Sequence, residues 1–223
     1  MKYILCYGDS NTWGASPDQL PRFGFETRWP GVLQNALGGQ AHIYENGLCG
    51  RTSGFTDDVE PGRNGRMGFS NVLETSAPLD LVIIMLGAND CKRRFSNHPA
   101  WDSALNVQNL ARAAQSPLYG PDGIAPPQVL LISPAGMGTD WGHSWVGEEF
   151  DLNSNRKVAS MPGLFEKIAC QEKVGFLRAS DHAGPGADCV HLTAASHMAL
   201  GEAVAEKVRE MLELTGSGKE PRP

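Results

Sequence analysis

Runs of four to seven aliphatic or β-branched residues recur along this chain, and between them apolar positions return at helical spacing. Residues 3–7, 42–45, 81–86, 128–133 and 174–177 read as strands. The third run, Leu81-Val82-Ile83-Ile84-Met85-Leu86, is apolar at every position, which suits a central parallel strand covered on both faces. Helices are predicted over about 29–37, 71–75, 103–114 and 161–172. A last helix over 194–214 sets Leu200, Val204, Val208, Met211 and Leu212 on one stripe, with Thr193 at the N-cap position. Strands alternating with helices imply right-handed βαβ units and a doubly wound sheet with helices on both faces.

Residues 1–214 read as a single domain, with neither an internal repeat nor a linker. Residues 215–223, TGSGKEPRP, are rich in Gly, Pro and charge and read as a tail. The Gly- and Trp-bearing stretch 135–160 reads as a long loop, too polar and irregular for core, in the place after a strand where such folds keep ligand loops. Its Trp141 and Trp145 read as loop anchors, either of which could line a pocket.

Composition acts here mainly by exclusion. With 41% hydrophobic and 20% charged residues the chain is an ordinary globular one, able to bury a sizeable core. A formal charge of −6 argues against a nucleic-acid binder, which needs a basic face to release counterions. No apolar run approaches the ~18 residues of a membrane span. The first strand begins within two residues of Met1, leaving no room for a signal segment. Five cysteines, odd in number and never spaced C-x-x-C, suit a reducing compartment. A cytoplasmic protein that engages neither membrane nor nucleic acid is expected.

Strands of an open parallel sheet all end at one edge, and ligands bind in the crevice there. Gly8-Asp9-Ser10-Asn11 follows the first strand, Asn46-Gly47-Leu48-Cys49-Gly50-Arg51-Thr52 the second, and Gly87-Ala88-Asn89-Asp90 the third. Asp188-Cys189-Val190-His191 stands just before the last helix. Singly, each is an ordinary turn; together they bring a hydroxyl, backbone donors, an amide and an Asp–His pair to one edge. A serine hydroxyl needs a base to take its proton, and imidazole titrates in the right range. The imidazole needs a carboxylate on its other nitrogen to hold one tautomer, and Asp188, three residues before His191, can reach it. The N–H groups of Ser10 and Gly50 and the Asn89 amide are candidate donors to a tetrahedral oxyanion, with glycine at position 50 allowing close approach.

Ser10 in GDSN, Gly50 in NGLCGRT, Asn89 in GAND and His191 in DCVH resemble, in order and in spacing, the SGNH (GDSL-type) esterase/lipase superfamily over essentially residues 1–214. GDSNTWG, TRWPGVL and LVIIMLGANDCK further resemble its small aryl-esterase/acyltransferase branch. The resemblance implies a flavodoxin-like three-layer α/β/α sandwich around a central five-stranded parallel sheet. It implies Ser10 as nucleophile, His191 and Asp188 as its triad partners, and Ser10, Gly50 and Asn89 as the oxyanion hole. It further implies a small ester substrate, turnover through an acyl-enzyme with acyl transfer competing with hydrolysis, assembly as a homo-oligomer, and no cofactor. Carbohydrate O-acetyl groups, aryl esters and short acyl esters all stay open as substrates. Asn11 replaces the Leu of GDSL, at a position the resemblance leaves outside the chemistry.

Gly142-His143-Ser144-Trp145-Val146-Gly147 nearly spells the G-x-S-x-G elbow but has one residue too many and no buried strand before it. Asp181, His182, Asp188, His191 and His197 could ligate a hydrolytic metal, yet His197 falls on a different face of the last helix and His182 lacks ligand spacing, so no metal is expected. A binding module without turnover is a third possibility, against which the intact Ser/Gly/Asn/Asp/His set argues. Cys49 and Cys189 read as small packing residues.

Overall fold

A strand with no polar position has to be covered on every side, and β3 (Leu81–Met85) is: all five side chains are buried. The computed structural model describes residues 1–19 and 21–215, so the expected tail, Thr215 apart, lies outside the described residues. β3 lies third in a five-stranded, all-parallel sheet of order β2-β1-β3-β4-β5, with β1 Lys2–Gly8, β2 Ala41–Gly47, β4 Gln128–Ser133 and β5 Gly175–Arg178. The helices are α1 Ser10–Trp13, α2 Trp29–Leu37, α3 Phe69–Ser76, α4 Ala100–Ala114, α5 Leu152–Glu172 and α6 Ala194–Leu212.

Side chains of a strand alternate between faces, and β1 shows how this builds three layers. Ile4 and Cys6 join Trp29, Leu33 and Leu37 of α2 and Leu200, Val204 and Val208 of α6 in one buried cluster. Leu5 and Tyr7 join Phe69 and Leu73 of α3, Val107 and Leu110 of α4, and Phe165 and Ile168 of α5 in the other. The expected α/β/α sandwich is the observed fold. Thr193 caps α6 as expected, its hydroxyl accepting the Ser196 N–H at 3.1 Å.

One boundary differs in an instructive way. α5 begins at Leu152, so the last part of the predicted loop 135–160 is helical. The Asp151 carboxylate accepts the N–H groups of Asn153 and Ser154 while the Ser154 hydroxyl accepts the Asp151 N–H, a reciprocal cap that starts a helix in polar sequence. Pro162 lies inside that helix, whereas sequence reasoning places a proline near the start. The rest of the loop is not all surface: Val146, Phe150 and Val190 form a small buried cluster of their own.

The register carries the functional consequence. Gly8 pairs with both Gly47 and Met85, so β1, β2 and β3 end level. β1 is also where the strand order reverses, the switch point at which such sheets open a crevice. No helix among the described residues is long and apolar enough to cross a membrane.

Candidate active site

The turn after β1 is drawn tight against α1. A Cβ on Gly8 would lie 1.9 Å from the Thr12 hydroxyl, so only glycine lets the strand end run this close to the helix. Asp9 caps α1 by accepting the Asn11 N–H at 2.9 Å. Burial pushes the Asp9 carboxyl up from 3.8 to about 6, against the opposing pull of that N–H, His191 and Arg51. Ser10 follows as the first helical residue and is itself buried.

The loop before α6 is closed on itself. Gly186 N–H donates to the His191 carbonyl at 2.7 Å, Pro185 bridges Leu192, and Cys189 turns the chain with a positive φ of 68°. One oxygen of Asp188, Oδ1, accepts the N–H groups of Val190 and His191 at 2.9 and 2.8 Å. That leaves Oδ2 for His191 Nδ1, 2.5 Å away. The other ring nitrogen, Nε2, lies 3.0 Å from Ser10 Oγ across 181 residues of sequence. The three residues thus form one line of hydrogen bonds, able to move a proton from a hydroxyl to an imidazole held by a carboxylate. The Trp145 ring lies on the imidazole, with centroids 5.8 Å apart and planes 15° apart, and its Nε1–H donates to the Pro17 carbonyl at 3.1 Å. Asp181, the other acid near in sequence, is exposed in the turn after β5. Ser144, the serine of the near-elbow, donates its hydroxyl to the Asp188 carbonyl at 2.6 Å.

The two remaining turns bring donors to the same place. Gly50 has a φ of +78°, which favours glycine, and a Cβ there would approach Glu60 Oε1 at 3.1 Å. Arg51 pins this turn to the strand ends: Nη1 donates to the carbonyls of Gly8 at 2.7 Å and Asn46 at 2.6 Å, over the Tyr7 ring. Asn89 donates one amide hydrogen to the Arg51 carbonyl at 3.1 Å, and an amide nitrogen carries two. The neighbouring Asp90, buried and pushed up to about 6 by that burial, accepts the Ser53 N–H at 2.7 Å and the Ser53 hydroxyl. The turns after β2 and β3 are therefore tied together.

Ser10, Gly50, Asn89 and His191 line one cavity of about 150 Å³. Its other walls are Trp145, Val146, Phe150 and Val190 on one hand, and Lys92, Glu60 and Glu149 on the other. Lys92, nearly fully buried, pairs with both Glu60 and Glu149, and Arg94 pairs with the same two carboxylates. Cys49 also lines this cavity and is exposed, so it is a wall residue and not the packing residue its sequence suggests; Cys189 is buried. Sequence reasoning passed over Arg51, Asp90 and the Lys92 group, since nothing in their local pattern separates them from surface charge.

His182 is exposed, and His197 is fully buried in α6, where its Nδ1 accepts the Trp29 N–H at 3.3 Å. Burial, with the charge of His191 adding, lowers His197 from 6.5 to about 4. A histidine that binds its proton less readily when folded loses stability as pH falls from 6.5 towards 4, by about 3 kcal/mol for a shift of this size. Asp9 and Asp90, raised to about 6, act in the opposite sense, so the whole-protein curve mixes the two. The comparison of wild type with His197→Asn isolates the histidine. The variant is expected to be less stable at pH 7 by denaturant titration, with the gap narrowing towards pH 4; a pH-independent gap would refute it.

A Ser–His–Asp line at the carboxyl edge of a parallel sheet is the equipment of an ester-cleaving enzyme. The chain belongs to the GDSL-like lipase/acylhydrolase family, whose model matches residues 6–199, and it is a carboxylic ester hydrolase. It is similar to the native M. smegmatis aryl esterase, with 36% identity over 95% of this chain and 100% of that one and a TM-score of 0.87. It is also similar to a carbohydrate acetylesterase from Sinorhizobium meliloti, with 32% identity, the same coverage of each chain and a TM-score of 0.87. A carbohydrate acetylesterase family member from that organism matches with 33% identity over 96% of this chain and 100% of that one, at a TM-score of 0.88. No curated protein matches the sequence.

Proposed function

We propose that the protein cleaves esters of short acyl groups through an acyl-enzyme on Ser10. The observation that carries this reading is the pair of contacts made by His191, 3.0 Å to Ser10 Oγ and 2.5 Å to Asp188 Oδ2, at the wall of a small cavity. Ser10 Oγ attacks the ester carbonyl while His191 Nε2 takes its proton, and the same proton then passes to the departing alkoxide. Asp188 holds the imidazole and offsets its charge. The developing oxyanion is met by the N–H groups of Ser10 and Gly50 and the free hydrogen of Asn89. Water then discharges the acyl-enzyme, and an alcohol or peroxide that reaches it first takes the acyl group instead.

A cavity of about 150 Å³ at Ser10 is the size that accepts a benzene ring and suits a short acyl chain, while a second one of about 340 Å³, sharing Cys49, Trp145 and His191 with it, leaves room for a larger leaving group. On p-nitrophenyl esters of rising chain length, kcat/KM is expected to peak at acetate or propionate; a peak at octanoate or beyond would sink the short-acyl reading. Asn89→Ala is expected to lower kcat by about 100- to 1,000-fold, the cost of one side-chain oxyanion donor. Unchanged kcat would leave Asn89 as no more than the support of the Arg51 carbonyl.

A second reading, a carbohydrate O-acetyl ester as substrate, is favoured by the Glu60–Lys92–Glu149 wall. In both glutamates Oε2 makes the ion pairs, while Oε1 has no hydrogen-bond partner among the described residues. Those oxygens can only accept, so they suit a leaving group rich in hydroxyl donors. Acetate release from acetylated sugars, run beside the p-nitrophenyl panel, tests this: an enzyme inert on every acetylated sugar would return the reading to aryl esters.

A further inference from the structure

Asn11 stands next to the nucleophile, is 5% exposed, and directs both polar atoms of its side chain to the loop that carries His191. Its Oδ1 accepts the Leu192 N–H at 3.0 Å, and its Nδ2 donates to the Val190 carbonyl at 3.3 Å. These two residues flank His191 on either side. Its own N–H is held by the Asp9 carboxylate at 2.9 Å, so the amide is fixed at its root as well as its tip.

The other bonds of the loop do different work. Those accepted by Asp188 Oδ1 and the one between Gly186 and His191 set the loop's shape, and those donated by Gly138 and Ser144 tie it to the segment after β4. Among the described residues, the hydrogen bonds between this loop and the turn after β1 are the Ser10–His191 bond and the two made by Asn11. The Ser10–His191 bond is itself consumed in the reaction, because once Ser10 is acylated its oxygen no longer has a proton to share. During deacylation the Asn11 bonds remain to hold the imidazole in register with Ser10.

We propose that Asn11 is a positioning residue, whose side-chain amide straps the backbone on both sides of His191 and sets the ring's distance from Ser10 throughout the acyl-enzyme cycle. This departs from the expectation that the fourth position of GDSN stands outside the chemistry, and it rests on the reading of His191 as the base for Ser10. A leucine there would fill similar space and leave both backbone groups without their partner.

The test uses Asn11→Leu and Asn11→Asp in the full chain. Asn11→Leu is expected to keep its circular dichroism spectrum and lose about 10- to 100-fold in kcat, the range for an ångström-scale misplacement of a catalytic group. KM should change by less than about twofold, because Asn11 lines neither cavity beside His191 and a misplaced imidazole slows acylation and deacylation alike. The downfield proton resonance of the His191–Asp188 hydrogen bond, a signal that a merely structural role would not move, should broaden or shift. Asn11→Asp keeps the acceptor for Leu192 but sets an oxygen against the Val190 carbonyl, so its kcat should fall between the two. If the leucine variant does not fold, the aspartate variant decides by the same readouts. Wild-type kcat with an unmoved resonance overturns the strap. A Ser10→Ala enzyme that still turned over would instead overturn the underlying reading of the site, so the two failures are told apart.

Discussion

Ser10→Ala is expected to lower kcat by about 10⁶-fold, the scale on which serine enzymes lose activity when the nucleophile goes. The size follows from the geometry. Without Oγ no acyl-enzyme forms, and His191 Nε2 has no hydroxyl at 3.0 Å from which to take a proton. Only binding and the proposed oxyanion donors remain. The change should be silent for the fold, because Ser10 Oγ has His191 as its only hydrogen-bond partner among the described residues and α1 is capped by Asp9. A fluorophosphonate should label wild type at Ser10 and leave the variant unlabelled, with the adduct mapped by mass spectrometry. An adduct on Ser144 would reverse the choice between the two serines, although Ser144 already has its hydroxyl on the Asp188 carbonyl at 2.6 Å.

Asp188→Asn is expected to cost about 10⁴-fold in kcat, by the mechanism known from serine proteases. The local bonds say which way the new amide must face. Two backbone N–H groups, of Val190 and His191, converge on Oδ1 at 2.9 and 2.8 Å, and only the amide oxygen can satisfy them. The NH₂ group then points at His191 Nδ1. A donor there forces the ring to carry its proton on Nε2, and a protonated Nε2 cannot accept from Ser10. Asp181→Asn, at an exposed position, is expected to lose less than about tenfold. Steady-state kinetics on the two variants settle the point; a crippled Asp181→Asn beside an active Asp188→Asn would reassign the acid.

Much of the framework was legible because it is local. A strand buried on both faces favours apolar side chains throughout, so β3 shows itself as an unbroken apolar run, and polar or glycine-bearing turns after the strands mark the working edge. Helix starts set by side chains that cap their own backbone were harder. Thr193 precedes an apolar stripe and announces α6, whereas Asp151 precedes Leu-Asn-Ser-Asn, which carries no stripe, and α5 begins nine residues before the helix that the apolar pattern predicts. The proline in that helix added to the error, since its usual place is a first turn.

Residue order and type alone determined the sheet, its layers, and the candidates Ser10, Gly50, Asn89, Asp188 and His191, because strand periodicity and turn chemistry act over a few residues. Tertiary structure alone decided what supports them. Asn11 meets Val190 and Leu192 across 179 and 181 positions, and Asp90 meets Ser53 across 37. Lys92 draws Glu60 and Glu149 onto one cavity wall. A buried donor or acceptor must find a partner, but hydrogen-bond geometry is set by where the folded backbone places the two groups, and no pattern along the chain records that distance.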